Sequence, residues 1–253
     1  MRFYVRHWYS LNMVLAAAVA LALFIGWDAI SVVQRLVILN MLALFVHQFE
    51  EYAFPGGEPA IMNIVLNGSD IPNRFPLNQL SACITNVVTG ILLYGLIPFA
   101  FPQAIWLSIG SMFFNIGQLI IHGVITNRKM GTVYNPGMFA VVFLHLPITV
   151  YFIWYVAANG LATPLEWVSG ILWAVFCAAF FLGFTTYVLM ASRKTTWPFA
   201  PEEMERFGVR DKMAARARQT SAAASGDNGE ANGKRPVGPQ AAMGRMQRKV
   251  HRE

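Results

Sequence analysis

The chain has 253 residues, 56% of them hydrophobic and 13% charged, with a net charge of +6. A soluble domain carries about 25% charged residues, so this composition excludes an ordinary water-soluble enzyme and indicates an integral membrane protein. Residues 1–192 hold six Lys/Arg and six Asp/Glu, whereas residues 193–253 hold thirteen and seven, which divides the chain into an apolar transmembrane domain and a basic tail.

Six apolar runs are long enough to cross about 30 Å of hydrocarbon as helices: 9–26, 29–51, 77–100, 103–126, 137–158 and 165–190. The expected fold is therefore an all-α polytopic bundle. Arg2 and Arg6 precede the first run, MVLAAAVALALF, as in a secretory signal. The length of that run and its continuation into GWDAI read as a retained helix, with cleavage as the alternative.

The second run closes on LFVHQFEEYAF and brings His47 with Glu50 and Glu51, at offsets of three and four on one helix face. The connection 52–76 is rich in Pro and Gly, and its apolar island 60–66 is too short to span. It reads as an interfacial segment, a segment that dips in and returns, or a packed loop. The third run carries Asn78, Ser81, Thr85 and Thr89 on one face, with Asn86 beside them. The fourth carries Ser108, Ser111, Asn115, Gln118 and His122, in steps of three and four.

YNPG, residues 134–137, opens the fifth run, with Asn135 suited to an N-cap and Pro136 to a first helical residue. That run contributes His145 and Thr149, with Pro147 between them to bend the helix. The first and sixth runs are nearly featureless. Cys83 and Cys177 lie within apolar runs and read as small buried hydrophobes. No disulfide or Cys-based zinc pattern is present.

The Lys/Arg residues of the N-terminus, of the second and fourth connections and of the tail share one side if both termini are cytoplasmic. Arg35, inside the second run, can snorkel outward. A bacterial-type inner or plasma membrane is the expected location. In the tail, EEMERFGVRDKMAARAR suits a short amphipathic helix, and the remainder is too poor in apolar residues to fold. The basic charge can contact anionic lipid, or the tail can be solvated with no specific partner. No phosphate-binding Gly motif or serine nucleophile elbow occurs, and no nucleic-acid partner is expected.

Ionisable groups inside a bilayer are costly and mark function. His47 and His122 lie at similar depth, about 7 Å from the cytoplasmic edge, and His145 lies about 15 Å deep. His47, Glu51 and His122 form a two-histidine, one-carboxylate set for a divalent metal, zinc first, with positions open for water and substrate. Glu50 is then the candidate general base, although the two glutamates can exchange roles. Asn86, Asn115, Gln118 and His145 are candidates for supporting or substrate contacts. The leading expectation is a metal-dependent membrane hydrolase of a lipid or membrane peptide. A proton- or ion-coupled transporter and a non-catalytic interaction module are the alternatives.

HQFEE, the histidine-bearing NIGQLIIHG and YNPG together resemble the HXXEE-domain membrane proteins, over a core of about residues 40–155. The resemblance implies a membrane domain in which His47, Glu50, Glu51, His122 and Tyr134, Asn135, Pro136 and Gly137 matter. It implies no reaction.

Overall fold

The computed structural model describes residues 1–232, with side chains to residue 222. Six of its helices are long and apolar enough to cross a membrane: α1 (Arg2–Ile25), α2 (Val32–Tyr52), α3 (Gln79–Ala100), α4 (Ile105–Met130), α5 (Met138–Ala158) and α6 (Pro164–Leu189). Two more follow, α7 (Pro201–Glu205) and α8 (Val209–Asn232). No strand occurs among the described residues.

Three of the helix starts are capping boxes, in which a side chain and a backbone N–H satisfy each other's helix end. Ser31 pairs with Gln34, Asn78 with Ser81, and Thr163 with Glu166. Asn78 and Ser81, read above as part of a polar stripe, are thus spent on starting α3. Close approach of helices relies on missing side chains. A Cβ on Gly90 would strike Leu44 and Gln48, and one on Gly95 would strike Met41, so α3 lies directly against α2.

The expectation that the first and sixth helices are featureless is corrected. Asn12 of α1 donates to Gln48 at 3.0 Å, and Thr186 of α6 pairs with Thr85 of α3 at 2.5 Å. Both contacts are buried, and in hydrocarbon a lone polar side chain must find a partner. Arg35 reaches outward, as its snorkelling predicts, to lie 4.8 Å from the Trp27 ring and 3.8 Å from Asp28.

Apolar clusters form both ends of the bundle. Val33, Leu36, Ile109, Met112, Phe152 and Val156 pack at one end. At the other, Trp8, Tyr52, Ile61, Leu77, Met130 and Phe199 pack together. The connection 52–76 belongs to this second cluster as a packed loop, helical over 58–66. Asn63 fixes its return, donating to Pro72 O and Leu77 O while accepting from Leu77 N.

The compact unit runs to Met213, beyond the boundary at residue 192 that the charge count suggests. Phe199, Met204 and Val209 are buried, and Phe199 N donates to Asn73 O. Arg206 donates to Tyr52 O, and the turn at Arg206 and Phe207 rests on Gly56 and Gly57, where a Cβ would collide with it. Arg193 makes an exposed bidentate pair with Asp70. The hydrogen bond from Arg193 holds the Asp70 carboxyl below its ordinary value. Ala214 onward is a second unit, of which the described part is the rest of α8. The tail after residue 218, expected not to fold, instead continues α8 to Asn232, and its part beyond residue 232 lies outside the described residues.

A chain ended at Met213 is expected to keep its melting temperature in detergent. A chain ended at Ser192 is expected to lose roughly 10 °C, because three buried anchors worth about 1.5–3 kcal/mol each are removed. Equal melting temperatures would show that residues 193–213 add nothing.

Candidate functional site

Between the two apolar ends lies a layer of buried polar side chains, and its centre is a three-residue cluster. His47 and Glu51, one turn apart on α2, face each other with Nε2 and Oε1 3.2 Å apart. His122 of α4 brings its Nε2 to 3.3 Å from the same Glu51 oxygen. The three ligand atoms lie within 4.8 Å of one another, and all three residues are buried. The group can hold a metal ion. Tetrahedral donors at zinc bond lengths of 2.0–2.1 Å sit about 3.3 Å apart, which matches both measured separations.

The outer nitrogens of the rings are committed. His47 Nδ1 faces Gly137 O at 3.0 Å, and a carbonyl can only accept, so Nδ1 carries the proton. His122 Nδ1 faces Asn135 Oδ1 at 2.7 Å. The orientation of that amide is set by its nitrogen, which donates to His122 O and to Asn127 Oδ1. When the rings are neutral, both turn a bare Nε2 lone pair toward Glu51, the outer-sphere arrangement usual for metal-bound histidine.

Gly137 is the keystone. Its φ of +93° suits glycine, and a Cβ there would lie 2.8 Å from Cε1 of both His47 and His122. His122 sits in a stretch of wide π-type turns over Ile121–Thr126, a form often found at functional sites.

Three sequence assignments change. Pro136 is not the first helical residue, because α5 starts at Met138 after the left-handed Gly137. Asn135 does not cap α5 with its side chain, because that side chain orients His122. The cap comes from Glu50. Its oxygens accept from Phe139 N at 3.0 Å, Ala140 N at 2.9 Å and Tyr134 Oη at 2.6 Å, placing a carboxylate at the positive end of α5. Burial and that carboxylate push the Tyr134 phenol above its ordinary value, so it remains a donor. Glu50, the candidate base, does not line the central cavity.

The carboxylate that does line it is Glu58, which the sequence reading passed over. Glu58 is buried at the start of the 58–66 helix, and its Oε2 has no hydrogen-bond partner. Burial, reinforced by Glu51, holds its carboxyl well above the usual carboxylate range. The available signal was a lone acid in the apolar stretch GGEPAIMNIVL, without helical periodicity to expose it.

The cavity has a volume of about 260 Å³. Its polar end is His47, Glu51, Glu58 and His122, and Asn86 and Gln118 also line it. Asn86 accepts from Gln48 and donates to Ala82 O. Asn115 and His145 lie outside the cavity. His145 Nδ1 faces Asn40 Oδ1 at 2.9 Å, and Asn115 donates to Asn40 and Thr149. The His145 ring is nonetheless 5.8 Å from that of His47.

Fold and site define a polytopic helical protein of membrane type with a buried His–Glu–His cluster. Residues 38–152, spanning most of α2 to most of α5, match the family described as "Protein of unknown function with HXXEE motif". The match covers a little under half of the chain, and His47, Glu50 and Glu51 fit the lettered positions of the motif in the family's description. No curated protein and no solved structure matches the chain.

Glu50→Gln is expected to cost about 1.5–3 kcal/mol of stability, because the amide NH2 would face a donor whichever way it turns, Ala140 N on one side or Phe139 N and Tyr134 Oη on the other. Thermal unfolding in detergent checks this, and an unchanged transition would remove the capping role. Gly137→Ala is expected to cost at least about 1–3 kcal/mol in the same assay, through strain and collision with both imidazoles.

Proposed function

We propose that the protein is a metal-dependent membrane hydrolase whose ligands are His47, Glu51 and His122. One observation carries this reading: two imidazole Nε2 atoms, whose rings commit Nδ1 to Gly137 and Asn135, converge on one carboxylate oxygen at 3.2 and 3.3 Å, so that with neutral rings no donor lies among them. Three such acceptors repel one another unless a cation or an added proton lies between them. Two histidines and one carboxylate suit zinc and leave a coordination position open.

A bound divalent ion would polarise a carbonyl and activate water near neutral pH. Glu58 lies on the cavity wall beside the ligands, with an unpartnered oxygen. A cation beside it would favour its ionised form, in which it would accept the proton of the attacking water as the oxygen–carbon bond forms, then return it to the leaving group as the ester or amide bond breaks. Asn135 and Gly137 would hold the histidines in the tautomer that ligation requires, and Glu50 would hold α5 in place.

A second reading, a proton- or ion-coupled carrier, draws on a different observation. Linked hydrogen bonds join His145, Asn40, Tyr94 and Asn115, and the His145 ring lies against that of His47. Such chains also serve proton relays.

Metal analysis of the detergent-purified full chain separates the two. The wild type is expected to hold about one equivalent of a transition metal, with loss in His47→Ala, His122→Ala and Glu51→Gln. Because the histidines must be neutral to bind, affinity should fall as pH falls. Glu58→Gln should retain the metal and lose at least about 100-fold in lipid ester hydrolysis. A metal-free wild type after reconstitution, together with flux into proteoliposomes that depends on Glu51, would favour the carrier instead.

A further inference from the structure

Resting on the reading of the cluster as a hydrolytic site, the geometry points to its substrate class: a neutral bilayer lipid with an ester-linked acyl chain, admitted sideways between α4 and α6. Helix α6 changes neighbours along its length. At one end it lies against α4, where a Cβ on Gly110 or Gly170 would collide with Trp173 or Ile109. At the other it is tied to α3 through Thr186 and Thr85. Past the glycine contact, α4 and α6 face each other across the cavity rather than touching, with Phe114 and Ile121 on one wall and Ala178 and Leu182 on the other. Ala178 is exposed, and Ile121 and Leu182 are half-buried, so the cavity reaches the lipid-facing surface there.

The polarity of the cavity parallels that of a lipid. The ionisable end lies beside Tyr52, the last residue of α2, at the edge of the span. Phe114, eight residues before His122, stands about 12 Å deeper. A head group at the interface and a chain pointing inward keep their ordinary orientation on entering. At about 260 Å³ the cavity is smaller than the roughly 300–1,000 Å³ of sites that engulf a whole drug-sized ligand. It suits part of a molecule whose remainder stays in the bilayer.

A peptide fits less well. Each residue of an extended peptide needs backbone hydrogen-bond partners, and in hydrocarbon these must come from the protein. Thr85, Thr186 and Asn86 on the wall are already bonded within the bundle, and Thr89 and Gln118 are too few to partner the backbone of an extended peptide. No Lys or Arg lines the cavity, so a phosphate there would face Glu51 and Glu58 with only the proposed metal, already shared with Glu51, to offset it. An ester carbonyl brings no such charge.

The test uses the full chain in phosphatidylcholine vesicles containing a diacylglycerol with a photoactivatable group in one acyl chain. A matching phosphatidic acid probe serves as the second arm. Crosslinks from diacylglycerol are expected on 114–121 and 178–186. Ala178→Trp is expected to lower them about tenfold, a loss that exclusion of two methylene groups would produce, while metal content is unchanged. Should Ala178→Trp fail to fold, Leu182→Ala is expected to widen the portal and raise labelling. Labelling spread evenly over the lipid-facing helices, unchanged by either substitution, or as strong with phosphatidic acid, would overturn the inference. Absence of metal with portal labelling intact would instead count against the hydrolytic reading alone.

Discussion

Two imidazole nitrogens, from His47 and His122, face one oxygen of Glu51, and a neutral ring that commits its Nδ1 proton elsewhere has none to offer it. Much of the surrounding structure answers to that convergence. Gly137 O and Asn135 Oδ1 occupy the far side of each ring and so hold the bare nitrogens inward. Gly137 must lack a side chain because both imidazoles come within contact of the place a Cβ would fill. The loop bearing Tyr134, Asn135 and Gly137 must then enter α5 at a fixed height. The Glu50 carboxylate fixes that height through two α5 amides and the Tyr134 hydroxyl.

The adjacent glutamates of the motif therefore divide the labour by direction. Glu51 turns into the cavity with His47, whereas Glu50 turns toward the start of α5. A carboxylate is costly in a low-dielectric interior unless it is fully hydrogen-bonded or neutralised. Glu50 meets that condition with three donors. Glu58 does not, because its Oε2 has no partner. The polar layer lies between two apolar clusters, which place it off the ends of the bundle and away from bulk water.

The span pattern was legible in the sequence because long apolar runs admit few alternatives in a membrane. The grouping of His47, Glu51 and His122 was also legible, since steps of three and four put polar residues on one helix face. What escaped lacked that period. Glu58 acts from a loop helix, so only the folded return of 52–76 brings it to the histidines. Asn12 and Thr186 are single polar residues on apolar helices, and their partners Gln48 and Thr85 belong to other chain segments. Asn135 looked like a cap because its local sequence fits one. The tertiary contact with His122 claims its side chain, and the cap comes from a residue 85 positions away.

X-ray absorption spectroscopy of the zinc-loaded, detergent-purified protein tests the central claim most directly. The account predicts a shell of nitrogen and oxygen donors at about 2.0–2.1 Å with the outer scattering of two imidazoles, reduced to one imidazole in His122→Ala. A sulfur shell at about 2.3 Å, or a spectrum unchanged by removing His122, would place the metal elsewhere and contradict the account.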